Sequence, residues 1–357
     1  MDGTHLNNKI GIVGGGITGL ISAYFLSLEG YKVDLYEKKT LLSETSSKTT
    51  KLIHGGIRYL ENLQFHEVKN GINDRKWWLE NFPDETKLQE IIILSKKKLS
   101  PEIFKFFFGI KVYETFAGRS NIKTGRLYKQ DDLLSLGIKN NISAGISFYD
   151  GLMQESVGQE IIKRCKSNGV NFYENNEIKS IRSEGRIEEK QYKKIIIATG
   201  PWASSFLKQN KIDTNKTIDY IKGSHLIINR KIKKGLMFRD QKKHRYIFAL
   251  PYQGNLLLGT TEQRVRSPED NHVLDSEVNY LLESINIYID RPINKDEIIK
   301  SYSGVRPLIK SKAQDFHSSS RDFYIQKDHN LLSLFGGKWT TAPSIARNIV
   351  RIVNNES

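Results

Sequence analysis

The sequence predicts an α/β fold that carries an inserted, mainly antiparallel α+β domain. The first observation is an apolar strand, Lys9–Val13, that runs into the glycine-rich turn Gly14–Gly19 and then into a helix ending at Gly30. The second is the next strand, Tyr31–Tyr36, which completes a strand–helix–strand unit. The third is a series of short strand patterns between residues 223 and 306.

The glycine-rich turn has the spacing of a Rossmann-like dinucleotide-binding site. Gly14 makes the turn, Gly16 lets the backbone approach a pyrophosphate, and Gly19 lets the helix pack on the strand. The N-terminus of the helix offers N–H groups and a positive dipole to phosphates. Glu37, 18 residues after Gly19, is placed to bind ribose hydroxyls and to repel a 2′-phosphate. This unit fits NAD as well as FAD.

Two later segments favour a flavin. Lys193–Trp202 reads as a buried strand ending in Ala-Thr-Gly, a return to the sheet that is common in flavoproteins. Leu331–Thr341 reads as another strand, ending in Gly-Gly, and we expect a helix after it with Thr341 as its cap and Pro343 in its first turn. The start of that helix is suited to stabilise negative charge on a reduced flavin ring.

The stretch Thr45–Leu60 combines small hydroxyls, two lysines, His54, a Gly-Gly pair and an Arg-Tyr pair. Taken alone it reads as a solvated loop. Because glycine allows close approach of the backbone to a ligand, and because the stretch follows a dinucleotide-binding unit, we expect it to contact the ligand.

Composition indicates a folded globular protein. A length of 357 residues suggests two domains or one domain with a large insertion. No run reaches the roughly 18 apolar residues of a membrane-spanning helix, and Met1–Lys9 lacks the pattern of a signal peptide. The single Cys165 excludes an internal disulfide and a zinc cluster within one chain, which predicts a cytoplasmic setting and no metal site.

The net charge of +15 favours anionic partners such as phosphorylated metabolites, acidic lipids or nucleic acid. Gln89–Lys129 is basic and aromatic, with Lys96–Lys98 followed by Ile103–Ile110. If this segment is helical, its aromatic residues cover most of the circumference. Such a segment fits a membrane interface, or equally a helix buried under the second domain. No nucleic-acid recognition motif accompanies the charge.

Together these segments resemble the FAD-dependent glycerol-3-phosphate dehydrogenases of the D-amino-acid-oxidase-like (DAO) superfamily. The resemblance follows the family's order along nearly the whole chain, in the runs Gly14–Gly19, Thr45–Glu61, Ala198–Trp202, Ile221–His225, Leu258–Glu262, Tyr302–Leu308 and Phe335–Lys338. SSKTTKLIHGGIRYLE and YSGVRPL are specific to that family.

The chain departs from the family pattern at three places. Family members usually continue into a C-terminal helical domain, whereas this sequence stops about twenty residues after Lys338. Met153–Ser156 stands where the family tends to carry Asp-Asp-Ala-Arg, and Trp339 stands where it usually has an aliphatic residue.

The resemblance implies bound FAD, oxidation of sn-glycerol 3-phosphate to dihydroxyacetone phosphate, transfer of electrons to a quinone, and peripheral attachment to the inner face of the cell membrane. Residues 1–75, 146–215 and 325–357 would form the FAD-binding domain, and residues 76–145 and 216–324 the substrate domain. In the latter we expect a helix at Asp275–Asp290 and strands at Gly223–Asn229, Arg245–Leu250, Asn255–Thr261 and Ile298–Arg306.

Oxidation of a secondary alcohol requires a hydride acceptor, a proton acceptor and, for an anionic substrate, cations. Flavin N5 supplies the first. Arg58, Arg306 and Lys338 are the candidate cations, since an arginine fork suits phosphate oxygens. His54 and His225 are candidate proton acceptors, although either fits a hydrogen-bonding role beside the cofactor, and Tyr59 would orient the substrate. The expected cofactor contacts are Gly14, Gly16, Ile17, Thr18, Gly19, Glu37, Lys38, Ser46, Ser47, Thr49, Lys51, Leu52, Gly200, Gly337, Lys338 and Thr340.

Three other functions stay open at this point. One is a DAO-type FAD oxidase or dehydrogenase of a small amino or hydroxy acid, whose carboxylate needs a single arginine. The second is a nucleic-acid binder, which leaves the flavin motifs unexplained. The third is an FAD protein without catalytic activity.

Overall fold

The computed structural model describes residues 8–57, 65–97, 106–111, 115, 124–240, 245–310 and 323–355. The named helices in these ranges are α1 (Ile17–Leu28), α2 (Phe65–Asn81), α3 (Gln130–Leu134), α4 (Val157–Ser167), α5 (Ala203–Gln209), α6 (Asp275–Asn286) and α7 (Ala342–Asn355). Short 3-10 turns lie at Gly200–Trp202 and Lys295–Glu297. Residues 106–111 are also helical.

The strands of the described ranges form two large sheets and one small one. They are β1 (Lys9–Val13), β2 (Lys32–Tyr36), β3 (Leu52–Ile53), β4 (Thr86–Ser95), β5 (Leu127–Tyr128), β6 (Ala144–Met153), β7 (Asn171–Tyr173), β8 (Ile181–Arg182), β9 (Arg186–Ile187), β10 (Lys190–Gln191), β11 (Lys194–Ile197), β12 (Ile218–Ile228), β13 (Gly235–Arg239), β14 (Tyr246–Tyr252), β15 (Asn255–Gly259), β16 (Gln263–Val265), β17 (Ile298–Ile309), β18 (Phe323–Asp328) and β19 (Leu331–Gly336).

The first large sheet has six strands in the order β18-β19-β11-β1-β2-β7. All neighbours are parallel except the edge pair β18–β19. Residues 195–197 of β11 are fully buried, as are Ile10 and Ile12 of β1. Strands of a parallel sheet read as continuous apolar runs because both faces of the sheet are covered. The predicted strand–helix–strand unit is confirmed as β1, α1 and β2.

Helices α1, α2, α4 and α7 share one core with this sheet. The helix predicted after Gly336-Gly337 is α7, which begins directly after Thr341 and has Pro343 in its first turn. The Thr341 hydroxyl accepts a hydrogen bond from Lys338 N at 3.2 Å. Thr341 therefore stabilises the turn that leads into α7.

The second large sheet runs β16-β12-β15-β14-β13-β4-β6-β3, with β17 paired to β12 and β5 to β6. It is mainly antiparallel, as predicted, and β13 with β4 is a parallel pair. The strands expected at residues 223–229 and 298–306 are found as β12 and β17. β12 begins earlier and β17 ends later than expected, because the two strands pair without interruption from Ile218↔Ile309 to Ile227↔Lys300. The helix expected at Asp275–Asp290 is α6 and ends at Asn286.

Part of the basic, aromatic segment is a strand, so the helical interpretation of Gln89–Lys129 is wrong for its first residues. Gln89–Ser95 belongs to β4, which pairs with β6 along its whole length. Residues 98–105, 112–114 and 116–123 lie outside the described residues. Among the helices that are described, none is long and apolar enough to cross a bilayer.

We expect Gly19→Ala to destabilise the fold strongly. A Cβ at Gly19 would lie 2.0 Å from the carbonyl oxygen of Gly14, so α1 would have to move away from the turn that precedes it. Overpacking of this kind costs about 3 kcal/mol, which chemical denaturation will measure as a lower free energy of unfolding.

Gly158→Ala is the matched control. Its Cβ would meet Leu42 Cδ1, the end of a side chain that can rotate away, and α4 gains a residue of higher helix propensity. An equal loss of stability in both variants would contradict the prediction.

Candidate active site

A cavity of about 990 Å³ lies at the carboxyl edge of the six-stranded sheet. The carboxyl ends of β1, β2, β11 and β19 meet at this edge because the strands are parallel. Val13 and Gly336 line the cavity from this side. His225 and Arg306 line it from the second sheet. The cavity therefore extends between the two large sheets, at the position where open α/β sheets bind ligands.

The glycine turn makes one wall of the cavity. Gly14 has φ +111°, and a Cβ there would lie 2.4 Å from the carbonyl oxygen of Ala198. Gly16 lines the cavity at the start of α1. Ser46 Oγ accepts the Ile17 N–H at 2.9 Å, which brings the loop after β2 over the helix N-terminus. Backbone rather than side chains thus forms this part of the wall.

Glu37 is held beside the glycine turn. Its carboxylate accepts hydrogen bonds from Gly15 N at 2.7 Å and Lys39 N at 2.9 Å. The next residue, Lys38, lies 4.2 Å above the ring of Trp202, and both line the cavity. An acid and a cation–π pair therefore flank the cavity where β2 ends.

The loop between β2 and β3 joins the two sheets. Tyr302 OH donates to Thr49 O at 2.8 Å, and Trp339 Nε1 donates to Ser46 O at 2.8 Å. Lys51 Nζ donates to Ser47 O at 2.8 Å, and burial lowers the pKa of this lysine to about 8. Hydrogen bonds therefore fix the polar loop in place as part of the cavity wall.

Two arginines share one carboxylate in the cavity. Arg306 donates to Thr260 Oγ1 at 2.8 Å and lies 3.9 Å from Glu262 Oε1. Arg245, which is 7% exposed, lies 3.4 Å from Glu262 Oε2. A Cβ at Gly223 would lie 2.3 Å from Arg306 Nη2, so this glycine leaves the space that the guanidinium occupies.

His225 is buried and neutral. Its Nε2 lies 2.9 Å from Thr50 Oγ1, and its ring stacks on Tyr302 with centroids 5.0 Å apart. Burial first, and then the charges of Arg306, Lys51 and Arg245, hold the pKa of His225 well below its ordinary value. Among the described residues, its Nδ1 has no hydrogen-bond partner.

His54 is half-buried and lines the same cavity. The following residue, Gly55, donates its N–H to Asp150 Oδ1 at 2.9 Å. Asp150 is in turn paired with Arg75 at 3.0 Å. The backbone that carries His54 is therefore fixed by a buried ion pair.

This cavity fits FAD. A Cβ at Gly14 would lie 2.4 Å from Ala198 O, whereas one at Gly16 would meet only Ser46 Oγ, at 3.2 Å. The backbone of Gly16 can therefore be approached closely by a pyrophosphate. Thr199 Oγ1 is buried at the cavity wall and has no hydrogen-bond partner among the described residues, so a polar ligand would satisfy it. The volume is at the upper end of the range for cofactor sites, about 1,000 Å³.

The structure brings most of the predicted site residues together. The cavity lining includes Gly14, Gly16, Ile17, Thr18, Glu37, Lys38, Ser46, Thr49, Leu52, His54, Gly200, His225, Arg306, Gly337, Lys338 and Thr340. Gly19, Ser47 and Lys51 are not in this lining. Arg58 and Tyr59 lie outside the described residues.

Sequence reasoning missed several polar residues of the lining. Thr50, Thr260 and Glu262 lie in runs that resemble the family but were given no role, and Arg245 directly precedes β14. The only signal for Arg245 was its position at the start of a predicted strand. Its pairing with Glu262 depends on the neighbouring strands β14 and β15.

Known proteins match this chain over nearly its whole length. The chain is 28% identical to the glycerol-3-phosphate dehydrogenase of Pseudomonas tolaasii, over 95% of this chain and 70% of that protein. The glycerol-3-phosphate dehydrogenase of Bacillus halodurans, solved with FAD, superposes with TM-score 0.75 at 20% identity, covering 98% of this chain and 64% of that one. The L-α-glycerophosphate oxidase of Mycoplasma pneumoniae, also with FAD, gives TM-score 0.77 at 21% identity, with 97% and 94% covered.

The chain spans between 59% and 70% of the length of three curated glycerol-3-phosphate dehydrogenases that it matches. The profile of the family described as DAO, FAD dependent oxidoreductase, matches residues 9–352. That match covers the glycine turn, both large sheets and the cavity between them, and the family's cofactor fits the cavity. The chain therefore belongs to the DAO family of FAD-dependent oxidoreductases.

Proposed function

We propose that the protein oxidises sn-glycerol 3-phosphate to dihydroxyacetone phosphate and passes the electrons to a quinone. The observation that carries this proposal is the set of cations in the cavity, Arg245, Arg306 and Lys338. Relatives named glycerol-3-phosphate dehydrogenase support the same substrate.

The charge of the cavity suits a phosphate dianion. Glu262 lies close to both Arg245 and Arg306, and Lys338 lines the same cavity, so three cationic groups line the cavity together with this carboxylate. Burial lowers the pKa of the neighbouring His225 most, and the positive charges of Arg306 and Arg245 lower it further. A carboxylate substrate needs a single cation, whereas a phosphate gains from several charge-assisted hydrogen bonds. Arg306 and Lys338 bind the phosphate in this proposal, with Arg58 as the third predicted cation and Arg245 at the buried end.

His54 is our candidate for the proton acceptor. It is half-buried in the cavity, so a substrate hydroxyl can reach it. His225 is 1% exposed, and Thr50 lies against its Nε2. In this proposal His225 therefore orients the Thr50 hydroxyl. When bound, FAD supplies the hydride acceptor, and His54 takes the hydroxyl proton as the carbonyl forms.

Attachment to an anionic membrane surface is part of the proposal. In the helical residues 106–111, Phe106 is buried against Tyr246, while Phe107 and Phe108 are 41% and 71% exposed. Lys96, Lys97 and Lys111 are exposed as well. Aromatic side chains beside lysines suit the interface of an anionic bilayer.

The reaction is tested by anaerobic bleaching of the bound flavin. We expect sn-glycerol 3-phosphate to bleach the oxidised flavin absorbance, and a quinone analogue to restore it. Glycine, sarcosine and lactate test the carboxylate alternative. Bleaching by a carboxylate substrate alone would contradict the proposed substrate, and fast recovery with oxygen but not with quinone would contradict the proposed acceptor.

We expect Arg306→Ala to lower kcat/KM by roughly one to two orders of magnitude. A hydrogen bond to a charged group is worth about 1.5–3 kcal/mol, and about 1.4 kcal/mol corresponds to a factor of ten. Arg306→Lys should recover only part of the loss, since an ammonium cannot form the two-pronged contact. Steady-state kinetics together with the FAD content of each variant provide the measurement.

Arg264→Ala is the matched control for Arg306. Both arginines face the same residue of β12, Ile221, from opposite neighbours, but Arg264 pairs with Asp219 at the exposed surface. Loss of FAD rather than of kcat/KM in Arg306→Ala would assign this arginine to cofactor binding instead.

For the proton acceptor, we expect His54→Asn to lower kcat by about 10²–10⁴-fold. His225→Asn should have a smaller effect, because its role passes through Thr50. Pre-steady-state bleaching rates measured as a function of pH distinguish the two. If the pH dependence survives in His54→Asn and disappears in His225→Asn, the assignment is reversed.

For the membrane, we expect Phe108→Ser to weaken binding to phosphatidylglycerol vesicles about tenfold or more. Burial of one large apolar side chain stabilises binding by about 1.5–3 kcal/mol, and this variant loses that contribution. Replacing Lys96 and Lys97 by Gln should reduce the salt sensitivity of binding. Vesicle flotation is the measurement, and Leu28→Ser, which alters an equally apolar residue 56% exposed at the end of α1, is the control. Absence of wild-type binding at low salt would rule out this surface.

A further inference from the structure

Three of the four tryptophans of the chain form one continuous series of contacts. The ring centroids of Trp339 and Trp78 are 5.7 Å apart, and those of Trp78 and Trp77 are 5.1 Å apart. Trp77 and Trp78 belong to α2, whereas Trp339 follows β19 at the position where the family usually has an aliphatic residue. Packing of α2 against the start of α7 therefore creates the series.

The series connects the cavity with the protein surface. Trp339 lines the FAD cavity beside Lys338 and Thr340. Trp78 is fully buried, and its Nε1 donates to Trp339 O at 3.1 Å. Trp77 is half-buried and packs on Phe25 with centroids 5.4 Å apart. The path thus has one end at the cofactor, a dry middle and an end near solvent.

We propose that Trp339, Trp78 and Trp77 form an electron-transfer path between bound FAD and the surface, which permits light-driven one-electron reduction of the cofactor from outside. Indole is among the most easily oxidised side chains, and neighbouring rings in contact exchange electrons readily. The N–H groups of Trp339 and Trp78 donate to backbone carbonyls, which are too weakly basic to take the proton. The radical cation formed when either ring is oxidised therefore keeps its proton, and it can still take an electron from the next ring.

Each ring is restored by the next one toward the surface. Trp339 gives one electron to photoexcited FAD, Trp78 restores Trp339, and Trp77 restores Trp78. At the surface, a dissolved thiolate gives the electron that restores Trp77, and two oxidised thiols combine as a disulfide. Phe25 and Phe82 also contact the series, but phenyl rings are too hard to oxidise to form such a radical cation. This path depends on FAD and not on the identity of the substrate.

The test uses the FAD-loaded protein, illuminated with blue light under anaerobic conditions in the presence of dithiothreitol. The readouts are the rate of loss of oxidised-flavin absorbance, the flavin fluorescence lifetime, and transient absorption of the tryptophan radical. We expect Trp339→Phe to lengthen the fluorescence lifetime. Trp77→Phe should leave the lifetime short but abolish the gain in photoreduction over free FAD, because the radical cation recombines before thiol can reach it.

Phe25→Leu is the control, since it alters packing against Trp77 without removing an oxidisable ring. FAD content and dark turnover should be unchanged in Trp77→Phe and in Phe25→Leu, which shows that both variants are folded. Photoreduction of Trp77→Phe at the wild-type rate would overturn the proposal. A fluorescence lifetime unchanged in Trp339→Phe would overturn it as well.

Discussion

The close approach of Gly14 to the carbonyl of Ala198 is the constraint on which the site depends. It places the end of β1 against the end of β11 with no side chain between them. The same turn is bonded to β2 through Gly14 N and Tyr36 O at 2.8 Å. Three strand ends therefore converge on one backbone segment, and the cavity opens where they meet. A side chain at Gly14 would fill that segment and would have to adopt φ +111° as well.

The second sheet completes the cavity because the loop after β2 ties it to the first. Thr45 donates to Val305 O, and Thr49 accepts from Tyr302. These bonds join a loop at residues 45–49 to β17 near residue 305, so the glycine turn and Arg306 face the same space. Apolar packing also joins the two sheets, since Ile53 of β3 and Met153 of β6 belong to the same core as Ile10 and Ile12 of β1. The hydrogen bonds of the loop add a polar connection between the sheets.

The cavity has an acidic part and a cationic part. The part beside Glu37 carries an acid fixed by backbone N–H groups, which suits hydroxyls. The part beside Arg306 carries the half-buried guanidinium of Arg306 and the buried one of Arg245, and such charges are screened less than those in water. The pKa of His225 is lowered by burial and by these cations, so the ring stays neutral. A neutral imidazole can share a proton with Thr50 without adding to the positive charge.

The sequence by itself determined the strand–helix–strand unit, the glycine turn and the family. Those features are local: glycine spacing, an apolar run and an acid at a set distance require no knowledge of the rest of the chain. It also named Arg306, Lys338 and both histidines, because each lies in a run that resembles the family. Only the tertiary structure decided which of these meet, since they come from separate segments of the chain. It separated the half-buried His54 from the buried His225, turned Gln89–Ser95 into a strand by pairing it with β6, and added Arg245 through its carboxylate neighbour. Burial and pairing between distant strands have no local signature, because they arise only when distant segments pack together.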